Sequence, residues 1–103
     1  MSVRPEVRRF VDSGPLPGED APIAEIQKRE KELLAIALPA SSEEARLLVG
    51  CFGPDQLYGM NQTLRSLIES APESPVTAEP PKDANRWVKD MWARIANARL
   101  RDG

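Results

Sequence analysis

Histidine is absent from the 103 residues, cysteine occurs once, and the aromatics are limited to two Trp, two Phe and one Tyr. Without histidine the chain has neither the usual general base near neutral pH nor the commonest metal ligand, which turns the expectation away from an enzyme. The lone Cys51 makes no internal disulfide and no metal cluster; between Val49 and Phe52 it reads as a small buried apolar residue suited to a reducing cytoplasm. No apolar run approaches the roughly 20 residues a membrane helix requires. The opening Met-Ser-Val-Arg-Pro-Glu has no apolar block behind its charges, so no secretory signal is expected. A soluble cytoplasmic protein follows, with no metal, no cofactor and no catalytic residue.

What the chain does have is charge and proline. Residues 19–80 carry five Lys/Arg against eleven Asp/Glu, whereas residues 82–103 carry six against three. An acidic body thus precedes a basic tail whose cations alternate with acids, too sparse for a nucleic-acid footprint. Most of the acids are expected on a solvated surface. The length suits a single domain, 1–103, with one modest core.

Apolar spacing predicts an all-α, compact bundle of about five short helices. Ser2 is the first candidate cap, before Val3, Val7, Phe10 and Val11, and that helix stops at the Gly14-Pro15-Leu16-Pro17-Gly18 connector. Asp20 is expected to cap a second helix, running to about Leu38, that buries Ile23, Ile26, Leu33, Leu34 and Ala37 and turns Arg29 and its charged neighbours to solvent. Ser41-Ser42-Glu43-Glu44 matches a capping box, followed by core residues Ala45, Leu48, Val49 and Phe52. Gly53-Pro54-Asp55 then breaks the pattern, with Gly53 expected in the left-handed conformation and Asp55 as the next cap. From there Leu57, Met60, Leu64, Leu67, Ile68 and Ala71 form one buried face, and Asn61, Gln62, Arg65 and Glu69 the exposed one. Gly59, inside this helix, signals close approach of another helix or of a ligand backbone, with packing the favoured reading. A Pro-rich extended linker over 71–83 with almost nothing to bury leads to a last helix capped by Asp83, its stripe made by Val88, Met91, Trp92 and Ile95 with Trp87 at the edge.

The stretch from Phe52-Gly53-Pro54-Asp55 through Leu57-Tyr58-Gly59 to Ser70-Ala71-Pro72, with Asn85-Arg86-Trp87-Val88 and Arg94-Ile95-Ala96-Asn97-Ala98, resembles small bacterial proteins that look like immunity proteins encoded beside polymorphic or contact-dependent toxins. Where those relatives carry an aromatic residue, this chain has Asn61 or Gln62. The resemblance implies a cytoplasmic inhibitor, a monomer or weak homodimer, that occludes a cognate toxin and touches neither nucleic acid nor membrane. The acidic body leads us to expect the interface among Glu43, Glu44, Asp55, Tyr58, Glu69 and Glu73, with Trp87 either a core residue or, if exposed beside this face, the apolar anchor. Two other classes use the same residues: a helical adaptor or oligomerisation module, and a histidine-free enzyme built on Tyr58, Asp55 and Glu69.

Overall fold

A computed structural model describes residues 3–102, with side chains described over 3–98. Five α-helices follow one another, α1 (Pro5–Asp12), α2 (Ile23–Leu34), α3 (Ser42–Leu48), α4 (Met60–Glu69) and α5 (Arg86–Asp102), with short 3-10 turns at Val49–Cys51 and Leu57–Gly59 and no strand among the described residues. None of these helices is long and apolar enough to cross a membrane. The radius of gyration, 13.8 Å, is close to the ~13 Å of a folded chain of about 100 residues.

Helix α1 begins at Pro5, whose fixed φ and missing N–H suit the first turn, and it buries Val7 and Phe10. Arg4 occupies its N-cap; the cap expected at Ser2 lies outside the described residues. The connector after α1 is far from bare. Leu16 is buried, and its N–H donates to the Cys51 carbonyl at 2.8 Å.

Helix α2 departs from expectation in three respects. Pro22, not Asp20, stands at its N-cap, and it ends at Leu34 instead of continuing to Leu38. Ile23, Leu34 and Ala37 are exposed, so the buried side is Ile26, Leu33 and then Ile36 beyond the helix. Arg29, assigned to the solvated face, is only 5% exposed. Its guanidinium donates to the carbonyls of Phe10, Gly14 and Pro15 at 3.1, 2.8 and 3.0 Å, lies 4.7 Å from the Phe10 ring centroid, and pairs with Glu32 at 3.0 Å. A cation from α2 therefore donates to carbonyls of the last turn of α1 and of the connector behind it, where the helix runs out of backbone N–H donors.

The capping box at α3 is present as expected: Ser41 Oγ accepts from the Glu44 N–H at 3.0 Å, and Glu44 Oε1 accepts from the Ser41 N–H at 2.8 Å. Packing of α3 on α4 makes the centre of the core, where Ala45, Leu48, Leu64 and Ile68 are fully enclosed. Between them the Gly53-Pro54-Asp55 turn is the hub. Gly53 is not left-handed; glycine is required there because a Cβ would lie 2.6 Å from the Leu16 carbonyl oxygen. Asn61, expected on the exposed face, is 0% exposed. Its Oδ1 accepts from the Gly53 N–H at 2.9 Å and its Nδ2 donates to the Asp55 carbonyl at 2.7 Å, so the amide stitches the turn to the first turn of α4.

Gly59 also differs from expectation. It is the N-cap of α4 with φ 90°, and no atom lies within 4 Å of where its Cβ would be, so its freedom is used for backbone geometry and not for close packing. The 71–83 segment buries Val76, contrary to the bare linker expected. Asn85, not Asp83, caps α5: its Oδ1 accepts from the Trp87 N–H at 2.8 Å while its Nδ2 donates to the Gly53 carbonyl at 3.1 Å.

Candidate functional site

Immediately after the hub the backbone runs left-handed through three residues, Leu57 (φ 46°), Tyr58 (φ 53°) and Gly59 (φ 90°). Two non-glycine residues in this region cost roughly 1–2 kcal/mol each, so the surrounding contacts must hold them. Leu57 is driven into the core, fully buried. Asp55 Oδ1 accepts from the Leu57 N–H at 3.0 Å, and Asp55 Oδ2 accepts from the Glu19 N–H at 2.9 Å, which ties the connector loop to the turn. Glu19 Oε2 in turn accepts from the Tyr58 N–H at 3.3 Å. The result is that Tyr58 stands out of the molecule, 70% exposed, on a backbone fixed from both sides. Its hydroxyl makes only a long 3.5 Å contact with the Glu19 carbonyl and keeps its hydrogen-bonding capacity for another acceptor or donor.

Around Tyr58 lie carboxylates. Glu19 and Asp20 are exposed, and a Cβ on Gly18 would meet Asp20 Oδ1 at 2.9 Å and Asp55 Oδ2 at 3.4 Å, so the three acids border one small surface. Glu19 and Asp20 were not among the expected contact residues; an acidic pair directly after a glycine in a proline-bounded connector was the available signal.

The seven expected contact residues do not form one patch. Glu44 is 1% exposed and committed to the interior, its carboxylate taking the Arg4 backbone N–H at 2.8 Å and the Arg4 Nε at 3.0 Å besides the Ser41 amide. Burial pushes this carboxyl up, but the hydrogen bonds from Arg4 and Ser41 outweigh it and hold the group at about 2. Trp87 is 4% exposed, stacked on Phe52 at 6.1 Å with its Nε1–H donating to the Asp55 carbonyl at 3.2 Å; it is a core residue and not an exposed anchor. Glu69 is paired with Arg94 at 3.1 Å. Asp55 and Tyr58 sit at the start of α4, whereas Glu69 and Glu73 sit at its far end, about 15 Å away by the length of a ten-residue helix. Glu43 and Glu73 make no ion pair among the described residues.

The grouping of Tyr58, Asp55 and Glu69 as an acid/base set is therefore divided between the two ends of α4. Burial pushes the Cys51 thiol up to about 11, which leaves it a protonated packing residue at neutral pH. The arrangement offers a rigid aromatic knob with an acidic border, a shape suited to contact with another macromolecule. No family model, curated protein or solved structure matches the chain, and this surface is what a functional reading has to rest on.

Proposed function

We propose that the chain is an immunity-type inhibitor that binds a cognate bacterial toxin through the Tyr58 turn and occludes its active site or an adjacent surface. The observation that carries this reading is Tyr58 itself, exposed on a pinned left-handed backbone beside Glu19, Asp20 and Asp55. A tyrosine held in advance brings a large amphipathic contact area at little entropic cost, the property of interface anchors. The acidic border, within a segment of eleven acids and five bases, supplies long-range attraction to a basic cleft.

The test is to co-express each variant with the toxin encoded beside this gene, score cell survival, and measure binding kinetics at two salt concentrations. Tyr58→Ala should speed dissociation by an amount on the order of 2 kcal/mol, with the association rate nearly unchanged. Asp20→Lys should slow association, most at low salt. Glu73→Lys, at the other end of α4, should change little. Full protection by the Tyr58 and Asp20 variants would overturn the Tyr58 site, and the absence of any toxin partner would overturn the immunity reading.

An adaptor or oligomerisation module is the second reading, supported by Ile23, Leu34 and Leu38, which are exposed, the last two beside an apolar groove of about 340 Å³ between the end of α2 and α4. A stable homodimer in sedimentation, lost in Leu34→Glu, would favour it.

A further inference from the structure

On the other side of the hub, Trp87 forms the wall of a cleft of about 530 Å³ whose lining is basic in an otherwise acidic protein. Arg65 from α4 and Arg86 from the first turn of α5 both lie over the indole, their guanidinium carbons 5.6 and 5.4 Å from the ring centroid. Lys89, one turn further along α5, also lines the cleft and donates to the Lys82 carbonyl. Three cations thus meet one carboxylate, Asp90, which pairs with Arg65 Nη1. Neither Arg86 nor Lys89 has a carboxylate partner among the described residues, and Arg65 Nε is buried without an acceptor. Gln56 and Gln62 add amides to the lining.

Such a collection of donors has two positive charges in excess, with no carboxylate among the described residues to match them. Each guanidinium is attracted by the Trp87 ring, and Arg65 is also held by the Asp90 pair. The positive end of the α5 dipole adds to the same field. We propose that this cleft binds the phosphate monoester of a small molecule. A phosphate monoester carries close to two negative charges at neutral pH and three acceptor oxygens, which matches the excess, and guanidinium forks suit its oxygens. The volume falls within the roughly 300–1,000 Å³ of small-ligand sites and exceeds what a bare anion fills, so the organic part of the ligand has room beside the indole edge. A nucleic-acid backbone fits less well, because it offers one charge per phosphate and needs a longer basic stripe than three residues. The inference is independent of the toxin-binding reading, since it uses neither Tyr58 nor its acidic border.

The experiment follows the Trp87 indole N–H by NMR in the full chain during titration with inorganic phosphate, glycerol phosphate, dimethyl phosphate and a single-stranded oligonucleotide. Glycerol phosphate and inorganic phosphate should move that resonance saturably, with the monoanionic diester at least about tenfold weaker. Arg86→Gln, an exposed position, should weaken glycerol phosphate about tenfold or more while leaving thermal unfolding unchanged, Lys89→Gln should act in the same direction, and Arg46→Gln on the exposed side of α3 should have no effect. No response to either monoester or phosphate, equal affinity in the Arg86 and Lys89 variants, or binding of the oligonucleotide in preference to the monoester would each overturn the proposal.

Discussion

At the scale of single residues, two glycines six positions apart, Gly53 and Gly59, show how the same residue type answers different constraints. Gly59 has open space about its missing Cβ and a φ of 90°, so its substitution is a question of backbone strain alone. Gly59→Ala and Gly59→Leu should therefore lose similar stability, about 1–2 kcal/mol each in urea unfolding, and Gly59→Asn less. A Leu variant several kcal/mol worse than the Ala variant would restore the close-packing explanation. Gly53 has an ordinary φ but a carbonyl oxygen 2.6 Å from the Cβ position, so Gly53→Ala must move the connector loop and should lose about 1–3 kcal/mol through overpacking. Asn61→Ala belongs with these: it strips the Gly53 N–H of its acceptor in the core, and an unsatisfied buried group costs about 1–3 kcal/mol, whereas the Asp55 carbonyl retains the Trp87 indole.

At the scale of elements, the start of α3 is held by a carboxylate that serves as cap, ion-pair partner and core residue together. Because the folded Glu44 titrates at about 2 against an ordinary 4.5, it contributes stability above about pH 4.5 that is lost as pH falls towards 2. Acid unfolding should be correspondingly shallower in Glu44→Gln, which is less stable at neutral pH but lacks that titration; an unchanged slope between pH 4.5 and 2 would remove Glu44 from the linkage. This cap was legible in the sequence because its partners are three residues apart, and so was the α4 face of Met60, Leu64, Leu67 and Ile68, all buried at helical spacing; Leu57, expected on the same helix, reaches the core from the left-handed turn before it. Arg29 was not legible. Periodicity assigns it to solvent, and its true acceptors are carbonyls 14 to 19 residues earlier that are left open only because α1 ends where it does. Asn61 fails for the same reason: a polar residue next to an apolar stripe reads as exposed until a turn with free backbone groups is packed beside it. The contact site was legible only in part, because Tyr58 is conspicuous as the single tyrosine, while the bond from the Tyr58 N–H to Glu19 spans 39 residues and has no local signature.

At the scale of the whole molecule, α5 is joined to the hub by Asn85 on the Gly53 carbonyl and the Trp87 indole on the Asp55 carbonyl and Phe52, and to α4 and the core by Met91, the half-buried Val88, Trp92 and Ile95, and the Arg65–Asp90 and Glu69–Arg94 pairs. Burial of one large ring thus fastens a helix of 17 residues to the hub. Trp87→Ala removes that ring and opens a cavity, for which losses of about 3–5 kcal/mol are typical. Trp87→Phe retains the stack on Phe52 and gives up the indole hydrogen bond, worth about 1 kcal/mol net, since Asn61 still satisfies the Asp55 carbonyl. The two variants should also differ in where they open. In Trp87→Ala the backbone amides from Met91 to Ile95 should lose hydrogen-exchange protection first, while those from Leu64 to Ile68 remain slow, because α4 packs on α3 as well as on α5. Equal loss of protection in both stretches would mean instead that the Pro-rich segment, with Val76 buried beneath it, couples α5 to the core as one cooperative unit. Under the first outcome the Tyr58 turn survives release of α5, because Asp55, Glu19 and Asn61 hold it without Trp87, and the basic cleft, which needs Arg65 from α4 and Arg86 from α5, does not.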